Sequence, residues 1–249
     1  MFLFLLLEMS KAQNVGIGTI TPAARLHVTD SAVLFSGAVT APPFTTTINP
    51  PAQGAGTRMM WFPALGAFRA GYVDGVQWDR DSIGQLSFVA GANSKAKGNV
   101  SVALGYNTNA LNSFSTSMGG GTTASGIMST SMGGVTVASG GYATAMGFGT
   151  TASGFRSTAI GDSSMASGES SIAMGKQSIA SGFFSTATGL YNTASGNSSF
   201  IAGSNSIASG DVAIGLGRST SAFGRTSFSA GNNTVAKASG STVFGAFND

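Results

Sequence analysis

The chain has 249 residues, of which 37 are Gly and only 8% are charged, with a formal net charge of +3. It contains no Cys and one His, His27, so disulfides and cysteine metal ligands are excluded, and a histidine-based triad would depend on that single residue. From Gly98 to Phe155 there is no charged side chain, so the basic stripe that binds nucleic acid phosphates is missing. We therefore expect no nucleic acid, metal or cofactor to be bound.

The first segment, residues 1–13, is rich in Leu and Phe and ends on a small-x-small pattern at Ser10 and Ala12. This composition is typical of the end of a secretory signal peptide, and the apolar run is too short to span a bilayer. We interpret it as a signal-peptide remnant and expect an exported chain with no membrane-spanning segment. The alternative is a short apolar strand.

The second segment, residues 14–57, combines a short strand with a linker. Alternation at residues 26–28 predicts a strand, and the lone His27 within it is expected to have a structural role. The linker is predicted by four prolines, at positions 42, 43, 50 and 51. The opening Val15-Gly-Ile-Gly resembles the N-terminal segment of surface and tail-fibre-like proteins of Gram-negative bacteria.

The third segment, residues 58–86, concentrates aromatic side chains. They are Trp61, Phe62, Phe68, Tyr72 and Trp78. One interpretation is an aromatic binding pocket. We favour a compact cap that covers the end of the repeats that follow, because the end of a solenoid exposes unpaired backbone groups.

The fourth segment, residues 87–249, repeats every 14 residues. Gly recurs without a slip from Gly91 to Gly245, and Ala stands five residues later, from Ala96 to Ala236. The working consensus is S-T-A-M-G-x-x-T-x-A-S-G-x-x. A period this regular indicates a repeat architecture.

Fourteen residues hold two short strands and two turns, so each copy is predicted to form one coil of an all-β parallel β-solenoid. In the copy 157–170, strand alternation assigns Ile160 and Ala166 to the interior and Met165 and Ser167 to the outside. The Ile160 column is rich in Met and Leu and is expected to face a core. Because one coil buries little apolar area, we expect three chains to share that core.

The units Ser101-Val-Ala-Leu-Gly, Ser157-Thr-Ala-Ile-Gly and Ser171-Ile-Ala-Met-Gly, each followed by Ala-Ser-Gly or a near equivalent, resemble the YadA-like head repeats of trimeric autotransporter adhesins. The resemblance covers residues 87–249. It implies a left-handed β-roll in a homotrimer on the outer surface of a Gram-negative bacterium, which binds an extracellular matrix protein, a glycan or another surface. The heptad stalk and barrel anchor of that family have no counterpart in these residues. A structural or receptor-binding fibre of phage-tail type is the alternative.

Candidate binding residues lie where the repeat varies freely, at the two positions after each Ala-Ser-Gly. The candidates are Tyr142, Phe155, Arg156, Phe183 and Phe184. Clustered aromatic side chains on a surface suggest an interface with a ligand. The alternative is that the same side chains pack one chain against another.

Two further functions are disfavoured. Ice binding needs a flat exposed ladder of Thr, but the column that contains Thr158 is expected in the core, and the column that contains Thr150 shares the inward face of the Ala column. Sugar cleavage needs paired carboxylates, whereas Asp162 and Glu169 are predicted at separate turns of one coil. We therefore expect no catalysis.

Overall fold

The computed structural model describes residues 15–29, 32–38 and 49–247, which belong to two compact units, residues 1–37 and 38–249. The predicted signal-peptide remnant at residues 1–13 lies outside the described residues. The same is true of Pro42 and Pro43 in the predicted linker.

The first unit contains one parallel pair of strands. Strand β1 (Val15–Ile17) pairs with β2 (Leu26–Val28), and Gly16 stands opposite His27. The Nδ1 atom of His27 accepts a hydrogen bond from the N–H of Ala23 at 3.1 Å. The predicted strand is confirmed, and the single His holds the turn that leads into it.

The second unit begins with an antiparallel hairpin, β3 (Gly56–Phe62) and β4 (Ala67–Val73), joined through a 3-10 helix at Pro63–Leu65. A second 3-10 helix lies at Arg80–Ser82. Strand β4 pairs in parallel with β5 (Phe88–Ala92), the first strand of the repeats. The hairpin thereby extends the long sheet of the repeats.

Each coil contributes one long and one short strand. The long strands that follow β5 are β7 (Val102–Tyr106), β9 (Thr116–Gly120), β11 (Thr130–Gly134), β13 (Thr144–Phe148), β15 (Thr158–Asp162), β17 (Ile172–Lys176), β19 (Thr186–Leu190), β21 (Phe200–Ser204), β23 (Ile214–Arg218), β25 (Phe228–Asn232) and β27 (Thr242–Ala246). The short strands are β6 (Lys95–Ala96), β8 (Asn109–Ala110), β10 (Thr123–Ala124), β12 (Val137–Ala138), β14 (Thr151–Ala152), β16 (Met165–Ala166), β18 (Ile179–Ala180), β20 (Thr193–Ala194), β22 (Ile207–Ala208), β24 (Ser221–Ala222) and β26 (Val235–Ala236).

The strands stack into two parallel sheets in sequence order. The long strands and the hairpin form a 14-stranded sheet, and the short strands form an 11-stranded sheet. Equivalent positions pair from coil to coil, for example Ala145 with Ala159 and Gly147 with Gly161. The predicted parallel β-solenoid of 14-residue coils is confirmed. With strands about 4.8 Å apart, the repeats form a rod about 50 Å long.

The interior between the two sheets is narrow. Ala159 on the long strand and Ala166 on the short strand are fully buried, as are their equivalents in most coils. Where Ser replaces the first Ala, it finds a polar partner, and Ser117 Oγ lies 2.8 Å from Thr122 Oγ1. Because Ala and small hydroxyl side chains fill this space, larger apolar residues are excluded from most of it.

The regular Gly column has a steric cause. Gly161 adopts φ = +118°, and a β-carbon there would collide with the carbonyl oxygen of Gly175 in the next coil. Both the conformation and the close approach of the backbones require Gly. The coil therefore cannot tolerate another residue at this point, and the column recurs without a slip.

The expected inward position of Ile160 is wrong. Its side chain points out of the coil and is 37% exposed, because Ala159 occupies the inward position and strand neighbours alternate. Thr158 lies on the same outward face and is half-buried, so its column does not lie in the core either. By contrast, Ala166 is buried, and Met165 and Ser167 are exposed, as predicted. Thr150 and its column are buried, also as predicted.

Arg69 and Trp78 fill the interior next to the first coil, and both are fully buried. Arg69 pairs with Val89 at the inward column, and its guanidinium donates hydrogen bonds to Ser87 Oγ (2.8 Å) and to the carbonyl oxygen of Ala96 (3.1 Å). Burial lowers the pKa of Arg69 to about 10, so the group stays charged at neutral pH. The indole N–H of Trp78 donates to the carbonyl of Ser94 at 2.9 Å. A separate cap domain at residues 58–86 stays a prediction.

Candidate functional site

Every coil presents two outward turns. We call the turn that leads into a long strand the entry turn, as at Glu169 and Ser170, and the turn that follows a long strand the exit turn, as at Asp162 and Ser163. Each contains one residue in the left-handed region, with φ = +55° at Ser170 and φ = +56° at Ser163. The backbone there is held from coil to coil, so variation in the side chains leaves the frame unchanged.

An aromatic–arginine cluster, Tyr142, Phe155 and Arg156, occupies two consecutive entry turns. The rings of Tyr142 and Phe155 meet edge to face, with centroids 5.4 Å apart. The guanidinium carbon of Arg156 lies 4.7 Å from the centre of the Phe155 ring and 6.0 Å from that of Tyr142. Cation–π contact holds the guanidinium against the rings and leaves its donors available.

Gly141 makes room for this cluster. A β-carbon at Gly141 would lie 3.1 Å from two atoms of the Phe155 ring and 3.4 Å from Ile127 Cγ2. The ring of Phe155 therefore leans back over Gly141 towards Ile127 in the coil before. Because Gly141 has no side chain, the Phe155 ring can tilt over it, and this tilt sets the position of Arg156.

A second aromatic pair stands on the same edge of the rod. The rings of Phe183 and Phe184 lie 4.2 Å apart at 77°. The N–H of Phe183 donates to Asn197 Oδ1 at 3.2 Å, which fixes the turn from the next coil. Two coils, or about 9.5 Å, separate the entry turns of Phe155 and Phe183. The five predicted site residues thus form two groups on one edge, and their role in binding stays a prediction.

The coil between the two aromatic groups carries Glu169, next to the coil of Arg156. The ion pairs among the described residues join Arg80 to Asp81 and Lys176 to Asp162, so Arg156 and Glu169 have no ionic partner there. Both side chains are exposed or half-exposed at the turn. The edge therefore offers a donor group and an acceptor group side by side, with aromatic rings on either side.

The same turns share the left-handed backbone of the other coils. Tyr142, Arg156 and Phe184 adopt φ values of +60°, +58° and +56°. This conformation costs a side chain about 1–2 kcal/mol and is nearly free for Gly. Phe114 and Met128 hold large side chains in the same conformation, so this strain is a property of the repeat and does not by itself mark these turns.

The exit turns form a second surface feature, which was not predicted from the sequence. An open groove of about 430 Å³ runs across three coils, lined by Ser163, Met165, Gln177, Ile179, Tyr191 and Thr193. Gln177 and Tyr191 are large residues at left-handed positions. The available signal was the free variation at the two positions after the first Gly of each copy.

The acidic residues are placed as predicted. Asp162 ends a long strand, where its Oδ2 lies 3.8 Å from Lys176 Nζ, whereas Glu169 lies at the other turn of the coil. Within residues 15–29, 32–38 and 49–247, no cluster of three or more His, Cys, Asp and Glu side chains could hold a metal ion. The same residues contain no helix of the length and hydropathy needed to cross a bilayer.

The fold and the outward turns define a β-solenoid whose constant residues build the frame and whose variable residues face outwards. Residues 82–108, 96–122, 124–150 and 152–178 match the model of the YadA head domain repeat, which spans two copies. Residues 82–178 are therefore similar to YadA head domain repeats, and this similarity suggests an adhesin-type function. A search of the curated proteins found none that matches.

Proposed function

We propose that the chain is the exported head of an adhesin on the outer membrane of a Gram-negative bacterium and binds an extracellular matrix protein or a glycan. The observation that carries this proposal is that each coil combines buried residues that recur from copy to copy with exposed turn residues that vary. Ser157 and Ala166 are buried and nearly constant from copy to copy, whereas Phe155 and Arg156 are exposed and vary between copies. Binding specificity then resides in the turns, and the rod displays it.

The head acts as a homotrimer whose contact surface is the outward face of the long sheet. Each long strand gives this face two side chains, equivalent to Thr158 and Ile160, and none of them is charged from β5 to β27. Met174 and Phe200, each 38% exposed, belong to the same stripe. A contiguous apolar stripe of this length is unusual on a monomer, and burial against other copies would remove it from water.

Light scattering of the purified chain tests the assembly. Three chains of 24.8 kDa should give about 74 kDa. Met146→Lys and Ile160→Lys should dissociate the trimer, because each would bury a charge in the contact. Ser167→Lys, on the exposed side of the other sheet, should leave the mass unchanged. A monomeric wild-type chain would contradict the proposed assembly.

Adhesion is tested by attachment of beads coated with the trimer to cultured cells and to immobilised matrix proteins. We expect attachment that is lost when the large side chains of the entry turns are replaced by Ser and Asn. The matched control replaces exposed residues of the exit turns. A folded trimer that attaches to none of these surfaces would overturn the proposed function.

A further inference from the structure

The side chains of four consecutive entry turns, from Tyr142 to Phe184, differ in kind from those of a packing surface. Aromatic rings stand at both ends, and the charged groups of Arg156 and Glu169 stand between them. Arg156 is the one charged residue of the stretch 98–161, so its position among the rings is not a by-product of a generally charged surface. A ligand of this surface must satisfy the rings and both charged groups together.

The two charged groups have opposite requirements. The Arg156 guanidinium can only donate hydrogen bonds, and the Glu169 carboxylate can only accept them. A polyanion would satisfy Arg156 but would be repelled by Glu169, and a cationic ligand would be repelled by Arg156. Hydroxyl groups donate and accept, so a molecule rich in hydroxyls satisfies both side chains.

The aromatic groups also require a ligand with an apolar face. The rings of Tyr142 and Phe155, and those of Phe183 and Phe184, are about half exposed and form two platforms that lie about 9.5 Å apart along the rod. Sugar rings have an apolar face of C–H groups and an edge of hydroxyls. An oligosaccharide laid along the rod can place one ring on each platform and its hydroxyls on Arg156 and Glu169.

We propose that this entry-turn surface, formed by Tyr142, Phe155, Arg156, Glu169, Phe183 and Phe184, binds an uncharged oligosaccharide. The inference rests on the proposed adhesin function and specifies its ligand class and its site. Arg156 and Glu169 form hydrogen bonds with the sugar hydroxyls, and the aromatic rings stack on the apolar faces of the sugar rings. In a trimer, each chain presents one such surface, so a branched or clustered glycan binds with gain from multivalency.

The backbone of the entry turns supports this assignment. Tyr142, Arg156 and Phe184 hold their large side chains in the left-handed conformation that recurs at this position from coil to coil. The fixed backbone of the coil also holds the platforms before the ligand arrives, which reduces the entropy lost on binding.

The experiment uses the full chain and an array of neutral oligosaccharides (lactose, N-acetyllactosamine, chitotriose and mannotriose) together with sialylated and sulfated counterparts. We expect at least one neutral oligosaccharide to bind, with an affinity that changes little between low and high salt. In titration calorimetry with that sugar, Phe155→Ser, Phe183→Ser, Arg156→Gln and Glu169→Gln should each weaken binding about tenfold, or about 1.4 kcal/mol.

The matched control is Tyr106→Ser, which removes an exposed aromatic ring from an exit turn and should leave sugar binding unchanged. Circular dichroism and light scattering should show that all variants keep the fold and the oligomer. Because the replaced side chains are exposed, a loss of binding then reports on contact with the sugar.

Three results would overturn the inference. They are binding of sulfated or sialylated members alone with a steep salt dependence, sugar binding that the four variants do not alter, and dissociation of the oligomer by Phe155→Ser or Phe183→Ser. Adhesion to surfaces stripped of glycans, unaffected by the variants, would also overturn it but would leave the adhesin function standing. Absence of adhesion to every surface would instead contradict the adhesin function itself.

Discussion

Ile201 and Gly215 fit together in the interior of two neighbouring coils. They pair directly in register, and Ile201 is a fully buried large residue at a position that holds Ala187 in the coil before. Its Cδ1 occupies the space that a β-carbon at Gly215 would need. The gain of volume in one coil is thus matched by a loss in the next, as close packing requires.

This fit predicts a strong coupling between the two residues. Gly215→Ala should destabilise the protein by about 1–3 kcal/mol through overpacking, and Ile201→Ala by about 2 kcal/mol or more through a cavity. The double variant restores the Ala–Ala pair seen at Ala159 and Ala173. Its cost should fall below the sum of the single costs by about 0.5–3 kcal/mol.

Denaturant unfolding at one fixed protein concentration measures these energies. Ala159→Gly serves as the control, because Ala159 has an Ala neighbour in register rather than a larger partner, and its effect should add to that of Gly215→Ala. If the effects of Ile201→Ala and Gly215→Ala on the free energy of unfolding were simply additive, Ile201 Cδ1 and the added β-carbon at position 215 would not compete for the same space.

Much of this fold was predictable from the sequence, because a fixed period of 14 demands identical coils. The direction of Ile160 was not, since hydrophobicity suggested a core, whereas the space between the sheets accepts little more than the side chain of Ala159. The Ile201–Gly215 fit depends on which atoms meet across coils. Likewise, the sequence placed Phe155 on a turn, but its stacking depends on the space above Gly141.

Val135 should limit the stability of its coil. It is a β-branched residue at φ = +54° in an exit turn, where the equivalent positions hold Asn107 and Asn205. Because Asn tolerates this conformation better, Val135→Asn should stabilise the protein by about 1 kcal/mol. The measurement is the unfolding free energy. Val137→Asn, two residues away in strand β12, should not stabilise, since Val favours extended backbone; a gain there equal to that of Val135→Asn would contradict the strain argument.

Asp74 should contribute to acid sensitivity. Its carboxylate accepts hydrogen bonds from Gln77 Nε2 (3.0 Å) and Asn93 Nδ2 (2.8 Å), and these bonds, that from Gln77 first, lower its pKa below the usual 3.8. The stabilisation is therefore present above about pH 3.8 and is lost as the pH falls through the folded-state pKa. Asn93→Ala should flatten the decline of Tm as the pH falls below about 3.8.

A matched control for Asp74 exists one coil further on. Asn107 has the same left-handed conformation as Asn93, and among the described residues its side chain forms no hydrogen bond with a carboxylate. Asn107→Ala should leave the decline of Tm with falling pH as it is in the wild type. Equal flattening in both variants would show that Asp74 is not the group that titrates.

The pair Phe183 and Phe184 separates ligand contact from packing between chains. Both rings are about half exposed and touch each other, so Phe183→Ser with Phe184→Ser leaves no internal cavity. We expect adhesion of coated beads to fall about tenfold while the trimer mass and the unfolding free energy stay unchanged, since the backbone N–H at position 183 still donates to Asn197 Oδ1. Phe148→Ser, which removes an exposed ring from an exit turn, is the control and should not alter adhesion. Dissociation or misfolding of the double variant would show that these rings pack the trimer rather than contact the ligand.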